Sequence, residues 1–207
     1  MKKNIPGSKA SLSIELFKTV NRYNEDKCNG QSGENLAKIK DLLVQGADPL
    51  VIIASTYSSL SSAARQNLIP IMKLFKEHNV DINSKFLEIT EIRDQGRVGF
   101  AASALHIAVI KNYSEMIELL ISYNANLGCN EKSKFSPLHL ALNKGANSSC
   151  EQIKLLVESM ADINQEDYVF HEKASRWAIH TNDEIITYLR QCENKSVEEV
   201  QLTGEGI

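Results

Sequence analysis

The chain lacks a basic field. Its 23 lysines and arginines are outnumbered by 26 aspartates and glutamates, and no cluster of positive charge exceeds Lys2-Lys3. Phosphate backbones are bound by neutralising them, so nucleic acid is not expected as a partner. A membrane span is missing as well: Lys2-Lys3 leads into Asn4, Pro6, Gly7 and Ser8 rather than an apolar run. No stretch approaches the ~18 consecutive apolar residues that crossing requires, so a cytoplasmic chain with no membrane partner is expected. The four cysteines (Cys28, Cys129, Cys150, Cys192) form no CxxC pair, which excludes a recognisable disulfide framework or zinc knuckle. G-x-S-x-G, P-loop, H-E-x-x-H and dinucleotide-glycine motifs are absent too. The chain therefore reads as a non-enzyme with no cofactor and no metal site.

What is present is a period. With 207 residues, 43% hydrophobic and 24% charged, the composition fits one globular domain or one elongated array. The turns GAD, NVD, NAN and MAD, ending at Asp48, Asp81, Asn126 and Asp162, lie 33, 45 and 36 residues apart. Nine residues before each turn stand Ile39, Met72, Ile117 and Ile153, and six before stand Leu42, Phe75, Leu120 and Leu156. Between them lie Lys40, Lys73, Glu118 and Lys154. Apolar positions three apart with a charge between them predict one buried stripe of a helix, repeated four times.

A shorter helix precedes each of these, as SALHIAV from Ser103 and SPLHLAL from Ser136 show, with Leu105-His106 and Leu138-His139 again 33 apart. Three Ser/Thr-x-x-Glu/Gln boxes, Ser149 with Gln152, Thr181 with Glu184 and Ser196 with Glu199, predict helix starts. A helix pair this short cannot bury its own apolar face, so stacked neighbours must complete each core.

The period and the SPLHLAL segment resemble the ankyrin repeat, whose T-P-L-H-x-A signature recurs every 33 residues. The resemblance implies an all-α ankyrin-repeat solenoid of four to five helix-turn-helix repeats, at about 8–48, 49–83, 84–130, 131–166 and 167–193. Residues 194–207 form an acidic stretch, read as a short helix fraying into a flexible tail. The second copy, SSLSSAARQNLIPIMKLFKEHNVDIN, keeps Leu60, Ala63 and Ala64 in its inner helix and Pro70 early in its outer one, but has LSS in place of LH. In the last copy, Trp177 and Ala178 stand where Leu140 and Ala141 stand in the fourth.

The largest departure from the period is 12 extra residues in SKFLEITEIRDQGRVGFAA. Alternating apolar and polar residues on either side of Asp94-Gln95-Gly96 predict an extended β-hairpin finger, equally readable as a cover over the repeats. Aromatic residues gather at the turns as Phe86, Phe100, Phe135, Tyr168 and Phe170, with Trp177 close behind; Arg93 and Arg97 flank the hairpin turn. Family resemblance implies that such turns and the inner helices meet a partner protein. The candidate binding residues are therefore Phe86, Arg93, Arg97, Phe100, Ile107, Lys111, Lys132, Lys134, Phe135, Leu140, Asn143, Tyr168, Phe170 and Trp177, with Lys144 also implied to face the groove. The expected partner is another protein, met by a monomer.

His106 and His139 are one repeat apart, about 8–10 Å in stacked helices, too far to share an ion at ~2.0–2.1 Å. The family role, a buried histidine bonding the neighbouring turn, is expected instead. Cys150 follows the cap Ser149, where a helix N-terminus favours the thiolate, so a thiol-dependent hydrolase is the alternative reading. Short glutamate-bearing tails on ankyrin proteins resemble the export signals of bacterial type IV secretion effectors, which implies a version secreted into a host cell.

Overall fold

In the computed structural model, residues 8–27, 32–53, 57–92 and 95–204 are described, with the side chains of 24–27 and 195–204 outside the description. The elements run α1 (Lys9–Lys27), α2 (Ser32–Val44), α3 (Ser59–Arg65), α4 (Ile69–Glu77), β1 (Phe86–Ile92), β2 (Gly96–Ala102), α5 (Ala104–Lys111), α6 (Ser114–Ser122), α7 (Pro137–Leu142), α8 (Cys150–Glu158), α9 (Ala174–Trp177) and α10 (Asp183–Gly204). The helical expectation holds, and the expected hairpin is present among the described residues as a small two-stranded sheet of β1 and β2. The chain divides into two compact units, Met1–Glu88 with Ala102–Ala125, and Ile89–Ala101 with Asn126–Ile207.

The first unit stacks helix pairs. Helices α1 and α2, α3 and α4, and α5 and α6 pack as pairs, while α3 lies against both α1 and α5. The core runs through Leu16, Val20, Ile39, Leu60, Ile71, Met72, Phe75, Leu105, Ile117 and Leu120, all nearly inaccessible. The predicted stripe positions are all buried, while Lys40, Lys73 and Glu118 between them face outward. In the second unit α7 packs with α8 and α9, and α10 with α8 and α9. Ile153, Leu156, Ile185 and Leu189 continue the stripe there.

The period is also written in the backbone. Gly46, Asn79, Asn124 and Met160, each two residues before a turn residue, all have positive φ. So do Asn67, Asn112 and Gly145, at the ends of the inner helices. Asparagine and glycine tolerate this left-handed conformation, whereas a bulky Met160 at φ 71° pays steric strain.

The inner-helix starts repeat too. Ser136 accepts the backbone N–H of His139 at 3.4 Å and its Oγ lies 2.7 Å from His139 Nδ1. Ser103 Oγ stands 2.8 Å from His106 Nδ1 in the same way. The second copy, lacking the histidine, uses Ser61: its hydroxyl accepts the Ser58 N–H at 2.9 Å and Ser58 Oγ accepts the Ser61 N–H at 3.2 Å. A hydroxyl thus replaces the imidazole as the box partner.

Two expected helix starts are corrected. Asn182, not Thr181, caps α10, with its Oδ1 accepting the Ile185 N–H at 3.0 Å; Glu184 turns to Lys154 instead. Ser196 lies inside α10, whose backbone continues to Gly204 rather than starting a separate tail helix.

Candidate functional site

The second unit is organised by one carboxylate and one indole. Asp167, almost fully buried, accepts the N–H groups of Val169 and Phe170 at 2.8 and 2.7 Å through Oδ1. Its Oδ2 accepts Glu172 N–H at 3.2 Å and Trp177 Nε1–H at 3.0 Å. Trp177 in turn meets the edges or faces of Phe135, Phe170 and His139, at centroid distances of 5.5, 5.7 and 5.4 Å. Phe100 reaches Phe135 at 5.8 Å. Edge-to-face contacts of this kind fix ring orientations as well as burying area.

This arrangement corrects the aromatic part of the expected surface. Phe86, Phe100, Phe135 and Trp177 are at most 5% exposed, because their own unit needs the rings to fill gaps between short helices. Ile107 and Leu140 are equally buried and have no side-chain surface to offer. Phe170 is partly buried against Trp177. Arg97, Lys111, Lys132 and Tyr168 are exposed, and Lys134 and Asn143 are partly so. Arg93 lies outside the described residues.

The described residues of the hairpin are bonded within their own units. In the second unit Asn143 Nδ2 donates to the Glu91 carbonyl at 2.8 Å and Lys134 Nζ to the Gly99 carbonyl at 2.8 Å. The Ala101 N–H donates to the Lys132 carbonyl at 2.9 Å. In the first unit Glu88 of β1, itself buried, forms an ion pair with Arg65 at the end of α3. The Arg65 guanidinium lies 4.7 Å from the centre of the Tyr57 ring. Sequence reasoning named Asn143 and missed Arg65, although Arg65 follows Leu60 by five residues as Asn143 follows Leu138, the same inner-helix position two copies apart. Aligning the inner helices rather than the turns would have found it.

Both histidines are fully buried. His139 Nε2 donates to the Glu172 carbonyl at 3.1 Å, one repeat further on, so Nδ1 is the nitrogen facing the Ser136 hydroxyl. Burial holds this imidazole below its usual value, against the opposing pull of the Glu172 carbonyl and Asp167. No group of three or more potential metal ligands occurs among the described residues. No helix there is long and apolar enough to cross a membrane.

Cys150 departs from its expected activation. Its thiol donates to Glu184 Oε1 at 3.1 Å, and the same oxygen accepts Lys154 Nζ at 2.9 Å. Burial, followed by the Glu184 carboxylate, pushes the thiol up from its ordinary value. Cys129 is pushed up to about 11 by burial and then by Asp167. Neither thiol is poised as a nucleophile.

The comparisons agree with this geometry. A family model described as "Ankyrin repeats (3 copies)" matches residues 60–167 and 105–199. The chain is 27% identical over 112 residues to protein phosphatase 1 regulatory subunit 12A of Mus musculus, covering 54% of this chain and 10% of that protein. A putative ankyrin repeat protein of fowlpox virus is 34% identical over 61 residues, 30% of this chain and 8% of its own length. A second fowlpox ankyrin repeat protein is 29% identical over 103 residues, 50% of this chain and 30% of its own. The chain thus spans a tenth of the length of the phosphatase subunit it matches. With periodic buried stripes, periodic left-handed turn residues and a family match over most of its length, the chain belongs to the ankyrin-repeat family.

Proposed function

We propose that the chain is a protein-interaction module of four to five ankyrin repeats, with partner contacts supplied by the side chains its units leave exposed. The observation that carries this reading is the contrast at the turns. The rings fill the core, while Arg97, Lys132 and Tyr168 stand outside it, and arginine and tyrosine are common interface anchors. The partner then presents carboxylates to these groups and an apolar edge to Tyr168. Resemblance to a phosphatase regulatory subunit makes a phosphatase one partner to try. The version exported into a host cell rests on the C-terminal stretch alone, and a secretion assay on truncations of 194–207 tests it.

The binding test compares capture by the wild-type chain and by a Lys132→Glu, Tyr168→Ala variant. A protein retained by the first and lost by the second, with both variants equally folded, supports the reading. Equal capture by both moves the contact away from these turns. An activity removed by Cys150→Ser with capture unchanged would restore the thiol-enzyme alternative.

A further inference from the structure

We propose that Arg65 and Tyr57 form a carboxylate-recognition site, and that Glu88 of β1 is its resident, replaceable occupant. The inference rests on the protein-binding reading and names the chemistry of one partner segment: an extended strand carrying an acidic side chain.

Three observations in the first unit carry it. The site is held in place without Glu88: the Arg65 guanidinium rests 4.7 Å over the Tyr57 ring, and the Arg65 carbonyl accepts the Tyr113 hydroxyl at 3.2 Å. An aromatic platform and a pinned helix end preset a guanidinium for a planar anion. Second, Glu88 uses that guanidinium incompletely. It pairs through Nη2, while the buried Nε–H has no acceptor among the described residues. A carboxylate set squarely on the fork takes Nε and Nη2 together, the bidentate geometry that arginine favours, so the resident carboxylate leaves a donor for an incoming one. Third, Glu88 sits in the stretch that lengthens the chain beyond its repeat. The strand around it places Phe86 and Glu88 inward while Leu87 on the other face is 49% exposed. It lies on the repeats as a peptide would, with alternate side chains in and out.

The test uses the full chain and, as probe, a labelled synthetic peptide of residues 86–102. Glu88→Gln in the protein removes the competing carboxylate and should tighten peptide binding about tenfold over wild type, the scale of one charge-assisted bond. Adding Arg65→Gln should abolish the gain, and a peptide with glutamine at position 88 should fail on the Glu88→Gln protein. Binding no tighter than wild type, or unaffected by Arg65→Gln, overturns the proposal and leaves a structural ion pair. If Glu88→Gln does not fold, wild type answers the question: saturating peptide should raise amide exchange across Phe86–Ile92, and unchanged exchange overturns it. Failure of the peptide on every variant removes this site but leaves capture through Lys132 and Tyr168 as an independent result.

Discussion

The two units each secure their own part of the insertion by different chemistry. In the first, the grip is ionic, Arg65 to Glu88, in a unit whose core is mainly aliphatic, with Leu60, Ile71, Met72 and Leu105. In the second, Asn143 and Lys134 donate to backbone carbonyls while Phe100 packs on Phe135, beside the indole of Trp177. Arg65 and Asn143 stand at equivalent repeat positions, so one scaffold site serves either a charge or a neutral donor. An ion pair is weakened by salt and can exchange its carboxylate; a packed ring with backbone bonds cannot be swapped without unfolding. The first unit is thus the adaptable one and the second the anchored one.

The sharpest way to break this contrast is Trp177→Ala. It removes the ring that joins Phe135, Phe170 and His139 and leaves the buried Asp167 Oδ2 with only the Glu172 N–H as donor, so a loss of about 3–5 kcal/mol is expected. Urea denaturation followed by circular dichroism measures it, and a midpoint near wild type would deny that the indole organises the unit. Next come Leu120→Ala in the first unit and Leu156→Ala in the second. Both sit at 0% exposure on the repeated stripe, and each should cost about 2–5 kcal/mol. Two separate melting steps, each moved by only one substitution, would sharpen the division into units; a single shared transition would blur it.

A smaller effect is expected at His139. Replacing it with alanine leaves the Glu172 carbonyl without its imidazole donor, at about 1–3 kcal/mol. Its pH dependence has a definite sign. The folded state holds the imidazole below its ordinary value of about 6.5 because burial disfavours the cation. The unfolded chain therefore takes up a proton that the folded chain resists. The stabilisation is complete above about pH 6.5 and is lost as pH falls toward the folded value. Melting temperatures between pH 7.5 and 5 should decline less steeply in His139→Ala than in wild type; parallel declines would contradict it. The smallest effect is a gain. Met160 is 88% exposed at φ 71°, where its counterpart is Gly46, so Met160→Gly should stabilise by about 0.5–1 kcal/mol through relieved strain. An unchanged melting temperature would mean that the lost backbone freedom cancels it.

Much of this was legible before folding. The stripe from Ile39 and Leu42 to Ile153 and Leu156 is a local property, since helix period and charge placement are read along the chain. The Ser149 cap, which accepts the Gln152 N–H, is local as well. Phe100, Phe135 and Trp177 misled because an exposed turn in sequence says nothing of where a ring points, and here several turns converge on one gap. Thr181 was passed over for Asn182 because the two adjacent cap residues compete and only the backbone path chooses between them.

The sequence by itself determined the repeat: the helices from α3 to α9 are under three turns long and can bury their stripes only by stacking. Tertiary structure alone decided that Glu88 meets Arg65 and that Asp167 receives the Trp177 indole. It also decided that Cys150 is set against Glu184, where burial first and the carboxylate second raise its thiol. Each of these pairings except Asp167 with Trp177 spans more than twenty residues, and side chains that far apart are brought together by packing, which no local period encodes.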